Sequence, residues 1–269
     1  MTELGHQLAS CAERLADAYD AALLDLDGVV YRGTEAIAHA AASLRAAAAA
    51  GMRLTFVTNN ASRTPAEVAA VLNAVGVDAA AADVATSAQA AATLLAARLA
   101  PGARVLILGT RALRDAVADA GLTPVASAAE QPDAVVQGFS PDTNYSMLAE
   151  ATLAVRAGAL WIATNLDATI PSERGVLPGN GALVAAVSAA TGATPVAAGK
   201  PQRPLHDEAV RRTNARRPLV VGDRLDTDVD GALAVGVDSL LVLSGVTALL
   251  ELVRLPAGRR PSYVGADLR

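Results

Sequence analysis

The chain has 269 residues, of which 52% are hydrophobic, with a formal net charge of -5 and one cysteine. That hydrophobic fraction excludes a disordered chain, and the lack of a basic block argues against a nucleic-acid partner. A lone Cys11 excludes an intrachain disulfide framework and suits a reducing, cytoplasmic compartment.

Residues 2–20 place Leu4, Leu8, Cys11, Leu15 and Ala18 at helical spacing, which predicts an amphipathic helix, and they lack the apolar centre of a signal peptide. No stretch is long and apolar enough for a membrane span; the alanine-rich run 36–50 is broken by His39, Ser43 and Arg45. The apolar run 21–24 reads as a buried strand that stops at Asp25-Leu26-Asp27-Gly28. A helix over 37–50 follows, closed by Gly51, and then a strand over 53–57 that ends in Thr58-Asn59-Asn60. Thr64-Pro65-x-Glu67 opens another helix, with Val68, Val71, Leu72 and Val75 on its apolar face.

A second α/β run begins near Asp78, with strands over 104–108, 134–137 and 160–163 and helices over 111–120 and 145–157. Residues 165–175 read as a loop and 181–191 as a helix, and 195–198 leads into Gly199-Lys200-Pro201. The first style then resumes: helix 205–214, strand 218–221, loop 222–228, helix 229–235, strand 239–243 and a last strand near 262–264. The fold class is α/β with a parallel sheet. Periodicity leaves open whether the two α/β runs lie side by side or one interrupts the other.

Three apolar strands therefore run into small polar residues. In a parallel sheet such strand ends share one edge, where ligands bind. Asp25, Asp27, Asp223 and Asp228 would crowd there. Two carboxylates about 4 Å apart repel by roughly 4 kcal/mol at an effective dielectric near 20, so the cluster calls for a cation or for protonation. Hard oxygen ligands favour Mg²⁺, which keeps waters that a phosphate can replace. The competing reading of Asp226 and Asp228 is a helix cap. Lys200 is the only lysine, against 21 arginines. A compact ammonium set between Gly199 and Pro201 suits a phosphate or carboxylate neighbour better than a solvated surface. Thr58, Asn59 and Asn60 supply uncharged donors for an anion, or else an ordinary turn.

Other chemistries lack their motifs. Gly199-Lys200 is followed by proline and has Thr194 where a phosphate-binding loop needs its first glycine. Gly179-x-Gly181 follows Pro178 rather than a strand, which argues against a nucleotide-cofactor module. His6, His39 and His206 have no metal-ligand spacing and read as surface residues. There is no Gly-x-Ser-x-Gly elbow.

Taken in order, Asp25-Leu26-Asp27-Gly28-Val29, Thr58-Asn59-Asn60, Gly199-Lys200-Pro201 and Gly222-Asp223-x-x-x-Thr227-Asp228 resemble the four motifs of the haloacid dehalogenase-like phosphatases. The long stretch between the second and third resembles the subfamily with a large α/β cap inserted there. The resemblance implies a Rossmann-like core over 1–79 and 196–269, interrupted by a cap over 80–195 that roofs the site.

It also implies Asp25 as nucleophile, forming an aspartyl-phosphate, and Asp27 as the acid and then the base. Thr58, Asn59, Asn60 and Lys200 would hold the phosphoryl group. Mg²⁺ would bind the Asp25 carboxylate, the Asp27 carbonyl and Asp223, with Asp228 supporting metal-bound water. The dehalogenases of the superfamily need neither Mg²⁺ nor the second aspartate, so Asp27 points to phosphatase chemistry.

The loop from Asp167 to Gly175 resembles the family's specificity loop and makes Ile170, Ser172, Glu173 and Arg174 candidates for the leaving group's surroundings. Aromatics are 3% of the chain and none lies in that loop, which favours small aliphatic phosphates over stacked bases. Glycerol 3-phosphate is the expected substrate by resemblance to Ala/Arg-rich bacterial relatives, ahead of phosphoglycolate, sugar phosphates and nucleoside monophosphates. A non-catalytic phosphate sensor on the same fold is the alternative of another class. Relatives pair through their caps, which gives a homodimer as the expectation, and some carry a further C-terminal domain. The partner set is a small phosphorylated metabolite, with no nucleic acid and no membrane.

Overall fold

A computed structural model describes residues 13–172 and 174–269. The predicted N-terminal helix lies largely outside the described residues, as do Cys11, His6 and Glu173; within them a single turn, Leu15–Ala18, is helical. The chain divides into two compact units. One comprises residues through Thr58, Pro65–Ala85 and Lys200–Arg269, and the other Asn59–Thr64 and Thr86–Gly199.

The first unit is built on a six-stranded sheet. Its central strands are Ala21–Leu24, flanked by Pro218–Gly222 on one side and Arg53–Thr58 on the other, both parallel to it. Asp238–Val242 and Tyr263–Gly265 extend the sheet in parallel beyond Pro218–Gly222, and Val84–Thr86 forms the opposite edge. The central strand is buried along its whole length, as expected of a parallel strand covered on both faces. Leu24, Phe56, Leu72, Leu219 and Val221 share one buried cluster. Each fully buried side chain of this size contributes about 1.5–3 kcal/mol, which fixes the register of the three strands that carry the polar ends.

The second unit has its own five-stranded sheet, ordered Val196–Ala197, Leu160–Ala163, Ala134–Gln137, Arg104–Leu108, Thr123–Val125, parallel at every pairing. Helices Tyr145–Arg156 and Asn180–Thr191 pack on one face through Ala151, Ala154, Val184 and Val187 against Leu106, Val135 and Trp161. Asn144 caps the first of these, its side chain accepting from the Met147 N–H at 3.2 Å.

Several elements differ from the sequence reading. Thr169–Ser172, predicted as loop, and Gly175–Pro178, which begins at the last residue of that loop, form an antiparallel hairpin. Pro171 hid it: proline is confined to edge positions in sheets, and in a two-stranded ribbon every position is an edge. Tyr31–Arg32 and Glu35–Ala36 form a second small hairpin. The helix Ser87–Ala96 has no counterpart in the sequence reading, because its alanines show no apolar stripe. Its start is nonetheless a capping box, with Gln89 N–H donating to Thr86 Oγ1 at 3.2 Å and Thr86 N–H donating to Gln89 Oε1 at 3.1 Å. The helix predicted over 37–50 begins at Ala40, because His39 is left-handed with φ 69°. Among the described residues, no helix is long and apolar enough to cross a membrane.

Candidate active site

Three neighbouring strands of the first unit deliver the polar residues. Asp25 follows the central strand and its N–H donates to Val221 O at 2.8 Å. Thr58 ends the strand on one side and is buried. Asp223 follows the strand on the other side and is 1% exposed. Parallel order puts all three ends on one edge, as the strand-end argument requires.

Lys200 comes to this edge from the start of the third chain segment of the unit. Its Nζ donates to Asp25 Oδ1 at 2.6 Å and to Asp228 Oδ1 at 2.7 Å. The lysine is 5% exposed and Asp228 1%. Asp228 sits in the single π-helical turn Leu225–Val229, and its Oδ2 accepts from the Arg224 N–H at 3.1 Å. The helix-cap reading of Asp228 therefore fails: its carboxylate faces the lysine. Asp226 pairs instead with the Arg224 guanidinium, at 2.8 Å on the exposed side.

Burial pushes the Asp25 carboxyl up to about 7; Lys200 opposes the shift, and Asp228 and Asp223 add to it. Asp223 is pushed up to about 6, again by burial first, against the Val246 N–H that donates to its Oδ2 at 2.7 Å. The Lys200 ammonium is held well above the usual lysine range: burial disfavours the charge, but Asp228 and Asp25 outweigh it. Asp27 reaches solvent, yet partial burial of its carboxyl raises its pKa, against hydrogen bonds from the Gly33 and Gly28 N–H groups.

Gly28 has φ +82°, and a Cβ there would overlap the Asp223 carboxylate; a Cβ at Gly245 would overlap the same carboxylate. Both glycines leave room for Asp223 to lie close to backbone.

The donor set fits a divalent cation. Asp25, Asp223 and Asp228 each place one oxygen within 4.8 Å of the others. Asp223 Oδ1 is buried without a hydrogen-bond donor. A buried carboxylate oxygen left unpaired is costly, and three carboxylates against one ammonium leave an excess of negative charge that hard cations satisfy.

The remaining predicted residues are placed as follows. Asn59 and Asn60 group with the second unit. The Asn59 amide donates to the Asp167 carboxylate at 3.2 Å, and the Asn60 Oδ1 accepts from the Ser62 N–H at 2.8 Å and Ser62 Oγ at 2.7 Å. Ser172 Oγ donates to Gly175 O at 2.7 Å within its own hairpin, Ile170 is half-buried, and Arg174 is exposed.

His206 corrects the surface assignment: it is 1% exposed. Its ring packs so close to Gly231 that a Cβ there would overlap it. Its pKa is pushed down to about 4, first by burial and then by Lys200. Gly179 and Gly181, the fragment of a glycine motif, are explained by backbone: a Cβ at either would overlap Asp167 O or Leu166 O.

Comparison with known proteins gives a consistent set. Residues 22–123 match the family model of the haloacid dehalogenase-like hydrolases, and residues 197–269 match a second model, HAD-hydrolase-like. The chain is 54% identical over 255 residues to D-glycerol 3-phosphate phosphatase of Mycobacterium tuberculosis, covering 95% of this chain and 71% of that one. It is 40% identical over 252 residues to acid sugar phosphatase of Staphylococcus saprophyticus, covering 93% and 95%. The solved structure of glycerol phosphate phosphatase from M. tuberculosis in complex with magnesium superposes with a TM-score of 0.92 at 54% identity, covering 96% of this chain and 77% of that one.

Proposed function

Because this chain belongs to the haloacid dehalogenase-like hydrolases, we propose that the Asp25–Lys200–Asp228 edge of its first sheet hydrolyses glycerol 3-phosphate. The chain is a phosphoric monoester hydrolase with a small phosphorylated metabolite as substrate. The finer choice of glycerol 3-phosphate is supported by 54% identity, across 95% of the chain, to an enzyme named for that substrate. The observation that carries the chemistry is Lys200 Nζ donating to Asp25 at 2.6 Å and to Asp228 at 2.7 Å beside an unpaired Asp223 oxygen.

Mg²⁺, when bound, would be held by Asp25 and Asp223, with Asp228 near it and the Asp27 carbonyl as a further oxygen, and would neutralise charge on the phosphoryl group. The residues of the chain supply the rest. An Asp25 carboxylate oxygen forms a bond to phosphorus while the bond from phosphorus to the glycerol oxygen breaks. Asp27, whose pKa is raised, gives its proton to that departing oxygen. A water then adds to the phosphorus of the aspartyl-phosphate, Asp27 takes the water's proton, and Asp25 leaves with inorganic phosphate released.

Lys200 opposes the protonation of Asp25 that burial favours, and its charge balances the incoming phosphate. Thr58 and the Asn59-Asn60 backbone that continues from it supply uncharged donors for the phosphoryl oxygens. Phosphate release from glycerol 3-phosphate, phosphoglycolate and sugar phosphates, measured with and without Mg²⁺, tests the reading. A specificity constant for glycerol 3-phosphate below those of the others would overturn the substrate assignment, and no Mg²⁺ dependence would overturn the site.

A further inference from the structure

Asn59 is joined by one peptide bond to Thr58, and its side-chain amide and main-chain carbonyl are both engaged by residues of the second unit. Its Nδ2 donates to both oxygens of Asp167, at 3.2 and 3.4 Å. Its main-chain carbonyl accepts from Ser87 Oγ at 2.6 Å and from Asn165 Nδ2 at 2.8 Å. Ser87 is 0% and Asn165 5% exposed. Asn165 is itself locked, its Oδ1 accepting from the Asp167 N–H at 3.2 Å and its carbonyl from Asn180 Nδ2 at 2.7 Å.

A carboxylate only accepts hydrogen bonds, so Asp167 dictates which way the Asn59 amide faces. The filled carbonyl fixes the plane of the peptide between residues 59 and 60, since that peptide is planar and its N–H points opposite to its C=O.

We propose that Asp167 is a positioning residue for the phosphoryl-binding segment 58–60, acting through the Asn59 side chain rather than on the leaving group. The inference rests on the proposed function in that residues 58–60 hold the phosphoryl group. It separates Asp167 from the specificity residues that follow it in the same loop. A residue that reads the leaving group changes one substrate more than another. A residue that aims the phosphoryl donors changes every phosphomonoester alike, and inorganic phosphate with them. The sign is informative as well: were Asp167 only a negative charge, its removal would strengthen anion binding, whereas a positioning role weakens it.

The test uses the full chain with Mg²⁺. Calorimetry gives the affinity for inorganic phosphate, and steady-state rates are taken on 4-nitrophenyl phosphate and glycerol 3-phosphate for wild type, Asp167→Ala, Asp167→Asn, Asn59→Ala and the double alanine variant. Removing a charge-assisted hydrogen bond of this kind is expected to weaken phosphate binding by about tenfold. Activity on both esters should fall by one common factor, and the double variant should lose no more than either single one. Asp167→Asn keeps an acceptor oxygen and should restore most of the loss; it also carries the test if the alanine variant fails to fold.

Tighter phosphate binding, a loss confined to one ester, or additive losses in the double variant would each overturn the assignment. The phosphate-binding and 4-nitrophenyl phosphate arms do not depend on glycerol 3-phosphate. Wild-type inactivity on that ester would therefore count against the substrate assignment and leave the Asp167 result standing.

Discussion

Replacing Lys200 by methionine removes the ammonium that two buried carboxylates share, at 2.6 Å from Asp25 and 2.7 Å from Asp228. Methionine approximates the volume, so the effect is electrostatic rather than a cavity. Breaking a buried ion pair by deleting one partner costs about 3–5 kcal/mol, because the other charge is left uncompensated. Here two carboxylates are stranded, with Asp223 supplying a third oxygen within 4.8 Å. Part of the cost is relieved by protonation of Asp25, already held up to about 7.

For a chain of this size each kcal/mol moves the melting temperature by roughly 2–4 °C, so the metal-free variant should melt roughly 6–20 °C below wild type. A cation saturating the site at about 100 times its dissociation constant returns about 2.7 kcal/mol. At one fixed Mg²⁺ concentration the variant, which lacks the Lys200 charge, should bind the cation more tightly and so be stabilised by more than wild type. Thermal melts at pH 8 in chelator and in Mg²⁺, followed by circular dichroism, measure both effects. Equal melting of the two proteins in chelator, or a smaller Mg²⁺ response in the variant, would refute the view that Lys200 and the cation neutralise one shared cluster.

Asp25→Asn should abolish phosphate release while the far-ultraviolet circular dichroism spectrum and the melting temperature stay close to wild type; near-normal turnover would exclude a covalent role for Asp25. His206 makes stability fall on acidification. Its pKa is about 4 when folded against 6.5 when free, so between those values the unfolded chain binds the extra proton. The contribution is fully present above pH 6.5, declines through the window and is gone below pH 4, amounting to about 3 kcal/mol for the separation of the two pKa values. His206→Gln should flatten urea-denaturation stability between pH 6.5 and 4.5 relative to wild type; equal slopes would show that His206 protonates as easily folded as unfolded. Gly28→Ala forces a side chain into a left-handed position and against the Asp223 carboxylate. It should cost about 1–3 kcal/mol and weaken Mg²⁺ binding, read by metal titration of the melting temperature.

What the sequence carries and what it hides follow from the same physics. Burial patterns are local, so the apolar runs at 21–24, 53–57 and 218–221 expose their strands directly, and a parallel sheet then forces Asp25, Thr58 and Asp223 to one edge without any knowledge of contacts. Lys200 was legible as a compositional outlier, one lysine among 21 arginines. Which carboxylates it meets was not, because 175 residues separate it from Asp25 and no periodicity records a partner that distant. Asp228 shows the limit: its type and place fit both a helix cap and a site residue, and the contact that tells them apart is with a lysine 28 residues away.

His206 is buried where its sequence context points to the surface, for the same reason. A polar residue in a helix is exposed by default, and the signal for burial was Gly231, 25 residues later on a different element, whose missing side chain makes room for the ring. Asn59 is the most instructive case. Residue type marks it as a donor for an anion at a strand end, but an amide has a donor face and an acceptor face, and sequence cannot say which way it turns. That orientation comes from a carboxylate 108 residues away. The residues proposed to do chemistry on this edge can thus be read one at a time, whereas one proposed to aim them can be read only with its partner.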